Sequence, residues 1–269
     1  MKKIISIIFL ISIGFWASAQ TINQTNAAGQ KTGKWQKKYD NGQLKYKGQF
    51  ENGYEVGEFI YFFPDGKIQS KLVFSEKGVM TTVSIYYKNG SQQATGFYRN
   101  KLKHGTWKYF NAATGIISKQ ETYADGKKDG VFRIYYSNEQ ISTEVYWKQD
   151  VRDGTWQEFF ENGNIRLSTQ FVNGNLDGEY KTYYAGKKIS RKGQYVNGKL
   201  DGVWITYNEQ GIYTTYERYK MGFLELERIY EDGIMVLEMD NVKHTVTDLR
   251  KNVEPEEEIE EIEDGGKEQ

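Results

Sequence analysis

The stretch GTWQEFFENGNIRLSTQFVNGNLDG, residues 154–178, is one 24-residue unit followed by the glycine that opens the next. Units of this kind begin at Gly33, Gly57, Thr81, Gly105, Gly130, Gly154, Gly178 and Gly202. They run to Glu225 with a single one-residue insertion. A fixed period of this length indicates one small element stacked many times, each copy contacting chiefly its neighbours, an architecture used more for binding than for catalysis.

Within the unit the columns are strongly typed. The third position holds Trp35, Phe59, Val83, Trp107, Phe132, Trp156, Tyr180 and Trp204, and the seventh holds Tyr39, Phe63, Tyr87, Asn111, Tyr136, Phe160, Tyr184 and Asn208. Side chains alternate across a strand, so both columns are expected on one face of a first strand. Asn41-Gly42, Asp65-Gly66, Asn89-Gly90 and Asn162-Gly163 then read as tight hairpin turns with positive φ. A second strand opens on Leu44, Ile68, Gln92, Ile117, Ile141, Ile165 and Ile189, an inward column. It ends on Phe50, Phe74, Tyr98, Tyr123, Trp147, Phe171, Tyr195 and Tyr219. Strand, turn, strand, turn predicts an all-β fold, an elongated, twisted, single-layer antiparallel β-meander of tandem 24-residue hairpin repeats. About sixteen strands at about 4.8 Å spacing would extend on the order of 75 Å. Pro64 and Pro255, the only prolines, both fall outside central strand patterns.

A single layer with a greasy face must cover it by curling, by dimerising or by holding a ligand; stacking of large aromatic rings favours curling. The opposite face carries the sixth-position column: Lys38, then Phe62, Tyr86, Phe110, Tyr135, Phe159, Tyr183 and Tyr207. These seven rings are the candidate surface for a ligand or partner. A half-exposed ladder of rings about 10 Å apart suits sugar rings or a protein strand. The plainer role for the row is to favour strand structure.

The ends differ from the array. Residues 1–19 read as a signal peptide, with Lys2 and Lys3, an apolar run from Ile4 to Trp16, and Ala17-Ser18-Ala19 before a cleavage point. That run is short of the roughly 20 residues that span a bilayer, so the mature protein is expected to be exported with no transmembrane segment. Residues 20–32 read as a polar linker and 33–225 as the eight repeats. Residues 226–251 form a degenerate terminal repeat that caps the edge, with 240–252 either strand or short helix, and 252–269 an acidic tail. Net charge is zero overall, and residues 20–251 carry +6 once the signal (+2) and tail (−8) are set aside. Lys and Glu are scattered through every repeat, which argues against nucleic acid.

Chemistry for catalysis is sparse. There is no cysteine, and the two histidines, His104 and His244, are far apart. No HExxH, Walker or GxSxG pattern occurs, so no catalytic residue, metal or cofactor is expected. Asp129, Asp153, Asp177 and Asp201 each precede a repeat's first glycine, and His104 fills the same slot. One carboxylate per repeat fits turn chemistry better than a calcium row.

The motifs G-x-W-x-x-Y/F-Y/F-x-N-G-x-I and Y/F-x-N-G-x-x-D-G, seen from Gly154 to Gly202, resemble the MORN-repeat variant of bacterial YwqK-type antitoxin proteins. That resemblance implies a β-sheet used for protein binding, with a toxin as the namesake's partner, and transfers no catalytic residues. An export signal departs from a cytoplasmic antitoxin and points to the periplasm or envelope. The leading expectation is an exported, non-enzymatic binding scaffold with a protein partner. The rival is a module that binds envelope glycan or cell wall through the ring row.

Overall fold

The computed structural model describes residues 21–75 and 78–252; the expected signal peptide and nearly all of the acidic tail lie outside them. The chain divides after Gly90 into two compact units. In the first, β1 (Gln24–Thr25), β2 (Lys31–Lys38), β3 (Leu44–Glu51), β4 (Tyr54–Phe62), β5 (Ile68–Ser75) and β6 (Met80–Tyr86) pair in sequence order, all antiparallel.

The second unit continues the same pattern. It holds β7 (Gln92–Arg99), β8 (Leu102–Phe110), β9 (Ile117–Ala124), β10 (Lys127–Tyr135), β11 (Ile141–Lys148), β12 (Val151–Phe159) and β13 (Ile165–Val172). Next come β14 (Asn175–Leu176), β15 (Gly178–Tyr183), β16 (Ile189–Val196), β17 (Lys199–Tyr207) and β18 (Tyr213–Lys220). The last are β19 (Phe223–Glu231), β20 (Ile234–Asp240) and β21 (Thr245–Asp248). Each pairs antiparallel with its sequence neighbour, except that β14 and β15 both pair with β13 and form one line interrupted at Asp177. Both units are open all-β meanders, and among the described residues there is no α-helix.

Among the described residues twenty-one strands replace the expected sixteen, for local reasons. The stretch read as a polar linker contributes β1, the break at Asp177 divides one strand, and the terminal segment forms three. Within it, the ambiguous 240–252 resolves into β21 followed by a 3-10 turn, Leu249–Asn252.

Two turn types alternate, and their assignment differs from the sequence reading. At Asn41-Gly42, Asp65-Gly66, Asn89-Gly90 and Asn162-Gly163 only the glycine has positive φ (Gly66, 84°), and Phe63 N–H donates to Lys67 O while Gly66 N–H donates to Phe63 O. That is a type I turn followed by a left-handed glycine, not the two-residue mirror-image turn. The latter sits at the other punctuation, where both residues are left-handed: Asn52-Gly53 (48° and 86°), Asn173-Gly174 (47° and 88°) and Met221-Gly222 (50° and 89°). The inserted residue falls inside the type I loop, where Asn111 N–H donates to Ile116 O, so strand register is preserved.

The repeat-opening glycine has its own job. Gly57 sits at φ 62° in a bulge where the β3–β4 register jumps from Gln49↔Val56 to Lys47↔Ile60. Thr81 cannot take that conformation cheaply, and β5–β6 runs with no register shift.

Candidate binding face

The third-position and strand-end aromatics share one face and pack on each other. In the first unit Trp35–Phe50, Phe50–Phe59 and Phe59–Phe74 are edge-on ring pairs at 5.8, 5.2 and 5.2 Å. In the second, Tyr98–Trp107, Trp156–Phe171, Tyr180–Tyr195 and Tyr195–Trp204 lie at 5.0 to 5.5 Å. Phe59, Trp107 and Trp204 are essentially fully buried.

A column that the sequence reading passed over makes this burial possible. Gly48, Leu72, Gly96, Glu121, Val145, Thr169, Gly193 and Glu217 recur two residues before the strand-end aromatic. A Cβ on Gly48 would overlap the Phe59 ring, on Gly96 the Trp107 ring, and on Gly193 the Trp204 ring. The three deepest rings therefore lie flat on three glycines, whereas Leu72 is paired with the smaller Val83.

Cations cover what the rings leave open. Lys31 lies 4.7 Å from the Trp35 and Phe50 centroids, Lys103 4.5 Å from Trp107 and 4.8 Å from Tyr123. Lys128 sits 4.8 Å from Trp147, Arg152 5.6 Å from Trp147 and 5.2 Å from Phe171, and Arg191 4.9 Å from Trp204. The long side chains lay their stems on apolar surface and keep their heads in water.

A buried carboxylate, Glu121, and a half-buried one, Glu217, knit two of these clusters. Glu121, 5% exposed, pairs with Lys119 at 3.2 Å and Lys128 at 3.3 Å and accepts from the Tyr123 hydroxyl at 2.8 Å. Burial alone would raise its pKa, but the Tyr123 and Tyr109 hydroxyls and the Lys119 ammonium override that and hold it below the ordinary carboxylate range. Burial, and then the bond to Glu121, pushes Tyr123 up to about 12. Lys103 is lowered by burial and by crowding from Lys119 and Lys128, which Glu121 only partly offsets. Four repeats on, Tyr219 donates to Glu217 at 2.7 Å and Arg191 pairs with it at 2.8 Å.

A cleft of about 300 Å³ opens on this face between the two clusters, lined among others by Lys128, Phe132, Trp147, Arg152, Trp156 and Phe171. Among the described residues, Trp147 Nε1 is buried with no acceptor.

The sixth-position rings occupy a different place. Phe62 and Tyr86 in the first unit, and Phe110, Tyr135, Phe159, Tyr183 and Tyr207 in the second, are half-buried at first-strand ends. The register puts them beside the aliphatic column read as inward, Phe62 with Ile68, Phe110 with Ile117, Tyr135 with Ile141, Phe159 with Ile165 and Tyr183 with Ile189, each at a one-residue bulge. That column accordingly packs with the row and not under the third-position rings. Seventh-position tyrosines are also not core. They latch neighbouring repeats, Tyr39 hydroxyl donating to Phe62 O (2.8 Å), Tyr136 to Phe159 O (2.6 Å) and Tyr184 to Tyr207 O (2.8 Å).

The recurrent aspartates serve turns. Asp153, Asp177 and Asp201 accept from the N–H groups of Asn173, Asn197 and Met221, the first left-handed residue of the following mirror-image turn. His104, in the same slot, stands 3.9 Å from Asp125.

Five segments match the MORN repeat variant. They are residues 31–52, 55–76, 128–149, 152–173 and 176–197. Two of these segments, 128–149 and 152–173, carry the whole lining of the cleft, Lys128, Trp147, Arg152, Trp156 and Phe171 included. No curated protein matches the chain. Among solved structures it is similar to the crystal structure of TcdB2-TccC3-TEV at 11% identity and a TM-score of 0.18, covering 84% of this chain and 15% of that one. The chain spans about 15% of the length of that protein.

Proposed function

We propose that this protein is an exported, non-catalytic scaffold that holds a protein partner on the aromatic and cationic face of its MORN-like repeats. The observation that carries this reading is the cleft on β10–β13, where aromatic walls, cations and a buried unpaired N–H occur together outside a catalytic constellation. Interfaces are rich in Trp, Tyr and Arg for the same physical reasons. Among the described residues no group of three or more His, Asp or Glu could hold a metal. Export rests on Lys2-Lys3, the run Ile4–Trp16 and Ala17-Ser18-Ala19, and the mature chain would begin at Gln20. A toxin is the partner class that the YwqK-type resemblance implies, with neutralisation taking place in the envelope.

Affinity capture from periplasm or medium with the mature chain as bait should return one stoichiometric protein. Repeated failure at micromolar bait defeats the proposal. The half-buried Phe159, Tyr183 and Tyr207 support a second reading, an envelope glycan laid across the other face. Retention on insoluble peptidoglycan or polysaccharide that drops when Tyr135, Phe159 and Tyr183 become Ala would favour it.

A further inference from the structure

The repeats contain an internal comparison. In two of them the strand-end aromatic and the neighbouring cations converge on a glutamate two residues earlier: Tyr123 on Glu121 with Lys119 and Lys128, and Tyr219 on Glu217 with Arg191. In the repeat between β10 and β12 the equivalent aromatic is Trp147, the equivalent cation Arg152, and the equivalent of the glutamate is Val145. The carboxylate is missing and Thr143 stands in the slot of Lys119, but the aromatic donor and the cation in the slot of Lys128 remain. Trp147 Nε1 is buried with no acceptor, and Arg152 is exposed, held over Trp147 and Phe171, with no ion pair or side-chain hydrogen bond among the described residues.

A buried donor without a partner is destabilising until an acceptor reaches it, and an unpaired guanidinium offers a planar fork that matches a carboxylate. We infer that the cleft of Lys128, Phe132, Trp147, Arg152, Trp156 and Phe171 is a docking site for an acidic peptide segment of the partner, whose Asp or Glu carboxylate takes the place that Glu121 and Glu217 occupy elsewhere. The inference deepens the scaffold reading and rests on it.

Charge and spacing favour a peptide over a small acid. Lys119 and Lys128 pair with the buried Glu121 and Lys103 stands within reach of its charge, while Arg152 has no carboxylate partner among the described residues and Glu158, which also lines the cleft, is already paired with Arg166 at 2.6 Å. Lys103, Lys128 and Arg152 stand two residues before their repeats' opening glycines on β8, β10 and β12. Alternate strands place them about 10 Å apart. A polyproline II chain rises about 3.1 Å per residue with about three residues per turn, so an acid at every third position faces one side and meets one cation per repeat.

The test is fluorescence anisotropy with a fluorescein-labelled (Glu-Ser-Gly)4 peptide and the mature full chain, with (Gln-Ser-Gly)4 as control. Saturable binding of the Glu peptide alone is expected. Arg152→Ala, at an exposed site, should weaken it at least about tenfold, about 1.4 kcal/mol, through loss of a charge-assisted hydrogen bond. Arg152→Lys should weaken it as well, through loss of the fork, and Lys34→Ala should leave it unchanged. Val145→Glu, supplying the carboxylate in cis, should abolish binding while near-UV circular dichroism stays native.

Equal binding of the Gln peptide, competition by free glutamate at equal carboxylate concentration, or an Arg152→Ala variant indistinguishable from the parent overturns the inference. Capture of a partner by Arg152→Ala bait at undiminished yield would also sink it while sparing the scaffold reading. No capture by any bait sinks the reading itself.

Discussion

Replacing Gly193 by Ala tests how the buried rings are seated. Its backbone lies outside the left-handed region, so alanine has no conformational objection, and the change would by itself stabilise by about 0.4–1 kcal/mol through the unfolded chain. The added methyl, however, would lie nearer than 3.0 Å to three atoms of the Trp204 ring. That ring cannot slide freely. It is wedged between Tyr195 at 5.1 Å and Tyr180 at 5.4 Å, lies under Arg191 at 4.9 Å, and its Nε1 donates to Gln194 O at 3.2 Å. Overpacking of this kind costs about 1–3 kcal/mol, so a net loss of about 1–2 kcal/mol is expected in urea unfolding followed by Trp fluorescence. A double-mutant cycle sharpens the test. Trp204→Val alone should cost about 3–5 kcal/mol, but combined with Gly193→Ala the two changes should be less than additive by at least about 0.5 kcal/mol, because Leu72 with Val83 already shows an aliphatic pair filling the equivalent space. A Gly193→Ala variant as stable as the parent, or strict additivity in the cycle, would refute the account of rings seated on glycine.

Other outcomes follow from the same contacts. Tyr184→Phe removes the latch to Tyr207 O and should cost about 0.5–1.5 kcal/mol in the same unfolding experiment. Met221 is held at φ 50° where four other repeats place Asn, so Met221→Asn should stabilise by about 0.5–1 kcal/mol. Tyr123, raised to about 12, contributes stability that is complete below pH 10, where an unfolded tyrosine is still protonated, and is lost as pH climbs to about 12. Spectrophotometric titration should therefore show a late tyrosinate step that moves earlier in Glu121→Gln. Glu121 works in the opposite direction: its pKa is depressed, so its contribution is complete above the ordinary glutamate range and is lost as pH falls through the lower folded value. The acid limb of a stability curve should flatten in the same variant.

Much of the fold could be read directly from the chain because its signals are local and repeated. Trp35, Trp107, Trp156 and Trp204 at one phase, and glycine at fixed offsets, specify strand and turn without long-range information. The turn types were harder to read. Asn-Gly occurs at both punctuations, and only the ladder decides whether Asn41 stays right-handed while Asn52 does not. The site was legible only in part. The sixth-position row stands out by composition, yet the residues that give the opposite face its chemistry are Glu121, Val145, Arg152 and three glycines, which look like ordinary polar or small positions of a wet strand. Their signal was available at the 24-residue phase, where Gly, Glu and aliphatic residues alternate with no polar majority. Interpreting that signal requires knowing which ring from the next strand lies above each one. The cations were hidden for a similar reason, since charge counts scatter them evenly while the fold collects Lys103, Lys119 and Lys128 around Glu121 and lays Arg152 over Trp147 and Phe171.

The last strand, β21, spans four residues and shields β20, which spans seven. Cutting the chain after Asp240 would bare a row of unanswered amides and carbonyls the length of a full hairpin arm, shaped to accept a copy of itself. A molecule of fixed length would become a monomer for fibre growth, with its size set by concentration instead of by its gene.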